Sequence, residues 1–172
     1  DLVRSRGLGD VYKRQDKYWV KNFGVSARTM LNKGDHPYMK EQAYQQALAF
    51  NPNIVVIKLG TNDSKSFNWV YKADFIKDTQ TMIDAFKALP SQPEIYLCYP
   101  SKAYLTGESI NDDIISKEII PMIKKVAKKN KLPVIDLHSA MDGMPELFPD
   151  HIHPNEEGAK VMAKAVYDAI KK

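Results

Sequence analysis

Apolar positions along the chain fall into two patterns, short runs that are apolar throughout and longer stretches with apolar residues every three to four positions. The two periods predict different elements. From Asp16 onward, residues 18–23 (Tyr18-Trp19-Val20-Lys21-Asn22-Phe23) read as a strand, and residues 37–50 as a helix with Tyr38, Ala43, Tyr44, Ala47 and Leu48 near helical spacing. Residues 54–59 form a nearly continuous apolar strand. Residues 67–89 read as mostly helical, with Phe75, Ile76, Met82, Ile83 and Phe86 on one stripe, and Pro90 and Pro93 punctuate the exit. Residues 94–99 give the next strand, residues 112–130 a helix kinked at Pro121, residues 133–137 a strand, and residues 154–170 a final helix that starts at Pro154. Strands that are apolar throughout and separated by helices predict an α/β fold with a parallel sheet covered on both faces. No internal repeat is visible.

Composition narrows the class. At 172 residues and 44% hydrophobic content the chain can bury about 70% of the surface its unfolded form exposes, and it needs neither disulfide nor metal to fold. The longest aliphatic run, Ile54-Val55-Val56-Ile57, falls far short of the ~20 residues of a membrane span, so a soluble protein is expected. The net charge of +4 is local: Lys124, Lys125, Lys128, Lys129 and Lys131 cluster on one helix and its exit, which reads as a solvated face and not as a nucleic-acid surface. The single cysteine, Cys98, lies in an apolar strand and reads as a buried structural thiol, which leaves the compartment open.

Residues 1–15 differ in kind from the rest. Three of the four arginines (Arg4, Arg6, Arg14) fall there, whereas the remainder uses lysine except at Arg28. The segment lacks the apolar core of a signal peptide and is read as a non-native leader, with residues 16–172 as one domain. The bland alternative is a basic native arm.

In parallel sheets, ligands bind at the loops that leave the carboxyl ends of the strands. Three such loops carry chemistry: Gly24-Val25-Ser26-Ala27-Arg28-Thr29, Gly60-Thr61-Asn62-Asp63-Ser64, and Phe148-Pro149-Asp150-His151-Ile152-His153-Pro154-Asn155. In the third, a carboxylate three residues before an imidazole can fix the tautomer of the ring, which is the orienting half of an acyl-transfer site. A nearby helix N-terminus would help keep His153 neutral and available as a base. The bland reading is an exposed capping loop whose histidines do nothing. A metal site from Asp150, His151 and His153, with His36 or His138, lacks any HExxH or paired CxxC spacing, so neither metal nor cofactor is expected.

Together these loops resemble the SGNH, or GDSL, hydrolase family. Leu59-Gly60-Thr61-Asn62-Asp63 is similar to its GxND block, Asp150-His151-Ile152-His153-Pro154 to its DxxHP block, and residues 22–29 to its glycine block, N-x-G-x-S-G-x-T. The resemblance implies a three-layer α/β/α sandwich with a parallel, flavodoxin-like sheet in 2-1-3-4-5 order. It implies an esterase acting through an acyl-serine intermediate on a small-molecule or carbohydrate ester, with a short acyl group on a sugar as the substrate. Carried over residue by residue, His153 is the general base, Asp150 its orienting carboxylate, and Asn62 an oxyanion donor through its side-chain amide. The backbone N–H of Ala27 is a further donor, at a position where the family usually has glycine; alanine is not expected to reach the glycine-only conformations.

The family's first block, an apolar strand followed by G-D-S, has no counterpart. Gly9-Asp10-Val11 imitates it with valine in place of serine, and only 15 residues separate Val11 from Ala27. The expectation is a domain without its first strand and helix, inactive as it stands, with exposed sheet edges that favour self-association. Ser26, Ser64 and Ser101 are the alternative nucleophiles. The competing reading is a non-catalytic module that binds a carbohydrate or a partner, with Phe67, Trp69, Tyr99 and Tyr104 as candidate stacking rings. The resemblance also allows a secreted or periplasmic parent.

Overall fold

The computed structural model describes residues 18–171, so the expected leader and the Gly9-Asp10-Val11 tripeptide lie outside the described residues. Strands β1 (Ile54–Ile57), β2 (Glu94–Tyr99) and β3 (Val134–Asp136) form one parallel sheet in that order, with Ile57 opposite Leu97 and Tyr99 opposite Asp136. Parallel neighbours need crossover connections, and helices supply them. Helix α1 (Gln42–Ala49) precedes β1; α2 (Ser66–Trp69) and α3 (Phe75–Lys87) join β1 to β2. Between β2 and β3 run α4 (Asp112–Ile114), a π-helical stretch (Ile115–Ile119) and α5 (Ile120–Asn130), and after β3 come α6 (Leu137–Ala140) and α7 (Glu156–Ile170).

Successive strand residues point to opposite faces, and β2 divides its side chains accordingly. Ile95 and Leu97 join Val55, Ile57, Phe75, Met82, Ile83 and Ile123 in one core. Tyr96 and Cys98 join Ile135, Leu137, Val166 and Ile170 in another. Helices α3 and α5 therefore cover one face and α7 the other, which makes three layers. Cys98 is the structural thiol expected, with burial pushing its pKa up to about 12.

Among the described residues β1 has a strand neighbour on one side only. Val56, on the face that α7 covers at β2 and β3, is 38% exposed. Among the described residues the sheet thus has an edge at β1 and a partly exposed position at Val56.

Several elements differ from their sequence-based boundaries. Residues 18–23 form no strand; instead, their rings pack on other rings, Tyr18 edge-on to Tyr167 at 6.3 Å, and Trp19 and Phe23 against Phe50 at 5.1 and 5.6 Å. Residues 67–89 are broken by a 3-10 turn at Lys72–Asp74. Pro121 produces no simple kink. Its ring would clash with the carbonyl four residues back, and the preceding turn widens so that the Ile120 N–H bonds the Ile115 carbonyl. Pro154 does not open the last helix, because Asn155 is its N-cap, accepting from the Gly158 N–H at 3.0 Å.

Candidate active site

The chain turns sharply after β1. Gly60 has φ of 123°, where an L side chain is strained, and a Cβ there would lie 3.0 Å from Pro100. The turn carries Asn62, Asp63 and Ser64 as a 3-10 segment. Asp63 is fully buried, and its two oxygens accept from the Met30 N–H at 3.0 Å and the Leu31 N–H at 2.8 Å. Burial pushes its carboxyl up to about 6 against the opposing pull of those two N–H groups. Asp63 therefore clamps the loop of residues 24–31 onto the turn after β1.

That loop is braced around Ala27. The Arg28 guanidinium donates back to the Ser26 carbonyl at 2.8 Å and is held by Glu41, also at 2.8 Å. The Asn62 amide donates to the Arg28 carbonyl at 3.3 Å. Ala27 between these anchors has φ of 61°. The left-handed region costs an L residue about 1–2 kcal/mol but is open to alanine, so Ala27 holds this φ without entering a glycine-only conformation. The structure thus brings together Ala27 and Asn62, the two expected oxyanion donors.

The second half of the site is local. In the loop after the 3-10 turn Pro145–Leu147, one Asp150 oxygen accepts from the Ile152 and His153 N–H groups at 3.0 and 2.6 Å, and the other lies 2.6 Å from His153 Nδ1. Partial desolvation raises the Asp150 carboxyl, but these bonds outweigh it and hold it down at about 2. With Nδ1 committed to the carboxylate, Nε2 faces away from it. His153 is 64% exposed in its side chain. It stands two residues before the Asn155 cap of α7.

A loop of residues 101–111 bonds both to the turn after β1 and to the loop that carries His151. The Asn111 N–H donates to Ser64 Oγ at 3.0 Å, Ser66 N–H to the Glu108 carbonyl at 3.1 Å, and Tyr104 N–H to the His151 carbonyl at 2.7 Å. At its end Asp112 accepts from Ala103 N–H at 2.9 Å and His138 Nε2 at 3.0 Å and pairs with Lys102 at 2.7 Å. None of Asp63, Glu41, Tyr104 or Asp112 was marked by the sequence motifs for these roles, since each acts on a backbone or charged group distant along the chain.

Among the described residues, none of Ser26, Ser64 and Ser101 is hydrogen-bonded to His153; Ser64 Oγ donates to the Thr61 carbonyl at 2.7 Å and accepts from Asn111. His138 pairs with Asp112 and does not join His151 and His153, and no group of three or more His, Cys, Asp or Glu suited to a metal is gathered among the described residues. Of the four candidate stacking rings, Phe67 is exposed, Trp69 is buried edge-on to Phe75, Tyr104 packs on Phe148, and Tyr99 is half-buried. No helix among the described residues is long and apolar enough to cross a membrane.

Residues 4–161 match the GDSL-like Lipase/Acylhydrolase family. An acetylxylan esterase of Xylanibacter ruminicola is 51% identical over 91% of the chain, of which the chain spans 36%. A GDSL esterase/lipase of Oryza sativa subsp. japonica is 21% identical over 95% of the chain and 69% of its own length. Among solved structures, an acetyl xylan esterase superposes with a TM-score of 0.76 at 20% identity, over 98% of this chain and 90% of that one. A carbohydrate acetylesterase from Sinorhizobium meliloti gives 0.74 at 20%, over 96% and 84%. At that identity the superpositions show the shared fold, a three-layer α/β sandwich on a parallel sheet. The length of the family match and the 51% identity decide the assignment: the chain belongs to the GDSL-like lipase/acylhydrolase family.

Proposed function

We propose that these residues are the base and oxyanion parts of a serine esterase that removes acetyl groups from carbohydrate. The observation that carries the reading is the 2.6 Å contact of Asp150 with His153 Nδ1, which turns Nε2 outward as a base. A serine hydroxyl brought to Nε2 would attack the acetyl carbonyl and pass its proton to His153. The developing oxyanion would take the Ala27 N–H and the Asn62 amide, and Asp150 would stabilise the imidazolium. Proton return from His153 releases the sugar alcohol; a water activated by the same nitrogen then frees acetate from the acyl-serine. Acetylated carbohydrate as substrate is supported by the name of the 51% identical relative.

No metal or cofactor has a part in this sequence of steps. Because no serine among the described residues meets His153, the chain as given is expected to hydrolyse little. Fluorophosphonate labelling tests this alongside release of acetate from acetylated xylan: no labelled serine and no acetate above the His153→Ala background is expected. Stoichiometric labelling of Ser26, Ser64 or Ser101, with acetate release, would overturn the inactivity and assign the nucleophile.

A further inference from the structure

Between β2 and α4, one side chain touches the loop of residues 141–153 at three separated points. The Tyr104 hydroxyl donates to the Met141 carbonyl at 2.7 Å and accepts from the Met144 N–H at 2.7 Å. Its ring lies edge-on to the buried Phe148 at 5.1 Å. Its own N–H donates to the His151 carbonyl at 2.7 Å. His151 has φ of 66°, in the left-handed region that costs an L residue about 1–2 kcal/mol, and it sits between Asp150 and His153.

The stretch around Tyr104 is itself fixed. Asp112 accepts from Ala103 N–H, the next residue back, and binds Lys102 and His138, while Ser64 and Ser66 hold the far end of the same loop to the Asn62 turn. Hydrogen bonds from the Asn62 side of the site to the His153 side therefore run through this loop, and Tyr104 is its contact with the Asp150–His153 segment.

We infer that Tyr104 is a positioning residue: through its hydroxyl and its backbone N–H it seats the strained Asp150–His153 loop, so that the imidazole is held with Nδ1 on the carboxylate and Nε2 outward. It touches no reacting atom. The inference rests on the proposed role of Asp150 and His153, and the experiment separates the two.

The readout is the tautomer of His153, from the ¹⁵N shifts of its two ring nitrogens at a pH where the ring is neutral, in the 172-residue chain. A carboxylate on Nδ1 favours the Nδ1–H form. Asp150→Asn and Tyr104→Phe are compared, the latter removing the hydroxyl and leaving the ring on Phe148. Asp150→Asn is expected to abolish the preference. Tyr104→Phe is expected to reduce the ratio of Nδ1–H to Nε2–H about 2- to 10-fold, the size of one or two lost hydrogen bonds.

An Asp150→Asn spectrum unchanged from wild type would overturn the reading of the site. A changed Asp150→Asn spectrum with an unchanged Tyr104→Phe one would overturn the positioning role alone, even if Tyr104→Phe lowers the melting temperature. Should Tyr104→Phe not fold, amide exchange in the unaltered chain decides. Tyr104 and Met144 amides protected together support the inference, and exchange at the rate of an open loop refutes it.

Discussion

Replacing Asp63 by asparagine sets two effects of similar size against each other, and pH separates them. Burial lifts the Asp63 carboxyl from 3.8 to about 6. At about 1.4 kcal/mol per pH unit, the ionised form at pH 7 carries a penalty of roughly 3 kcal/mol, which asparagine removes. The amide offers one acceptor oxygen where the carboxylate offered two, so either the Met30 or the Leu31 N–H, both in buried residues, loses its partner. That costs about 1–3 kcal/mol. At pH 7 the variant should therefore lie within about 2 kcal/mol of wild type.

The sign of the pH dependence follows from the raised value. A carboxyl that binds its proton more tightly folded than unfolded favours the fold below pH 3.8 and loses that contribution as pH rises to about 6. Asparagine does not titrate. Urea unfolding followed by tryptophan fluorescence, from pH 3.5 to 7, should show wild type losing roughly 3 kcal/mol relative to Asp63→Asn across that window. The wild-type curve alone mixes in the other carboxylates, so the difference is the quantity to read. A flat difference, or wild type gaining with pH, would refute the buried clamp.

Other outcomes follow from the same geometry. Ala27→Gly should stabilise the fold by up to about 1 kcal/mol, because it relieves a positive φ at some cost in unfolded-chain entropy; a measured loss in urea unfolding would contradict the brace around Ala27. Partial burial raises the Asp112 carboxyl, but bonds from His138, Lys102 and the Ala103 N–H outweigh it and hold it at about 2. Its stabilisation is present above 3.8 and lost as pH falls through 2, so acid unfolding of Asp112→Asn should be less steep there than that of wild type. The edge that the described residues leave at β1 should give concentration-dependent association in sedimentation, weakened by Val56→Lys; a monomer at every concentration would count against an available edge.

The sequence shows what is encoded locally. Strands at 54–59, 94–99 and 133–137 were legible because both faces of a covered parallel strand must be apolar, which Ile95, Tyr96, Leu97 and Cys98 satisfy in two different cores. Residues 18–23 misled because the aromatic residues that suit a strand serve here to pack rings on Phe50 and Tyr167. The break after α2 was hidden because no Gly or Pro marks it between Phe67 and Leu89. The Asp150–His153 contact could be read from a three-residue spacing. The Asp63 clamp, the Arg28 brace and the Tyr104 seat could not, because their partners are backbone groups or residues brought close only by the fold.

The proposed reading, in which Asp150 and His153 supply the base and Asn62 and Ala27 the oxyanion donors, calls for an attacking serine at His153 Nε2. It is tested most directly by placing an apolar strand and G-D-S block of the family ahead of residue 16 and measuring aryl acetate hydrolysis. The restored chain should be active, and changing its new serine to alanine or His153 to alanine should each remove most of that rate while leaving a residual ~10³–10⁴-fold over water. Hydrolysis by the 172-residue chain equal to that of the restored one, or a restored chain indifferent to His153→Ala, would contradict it.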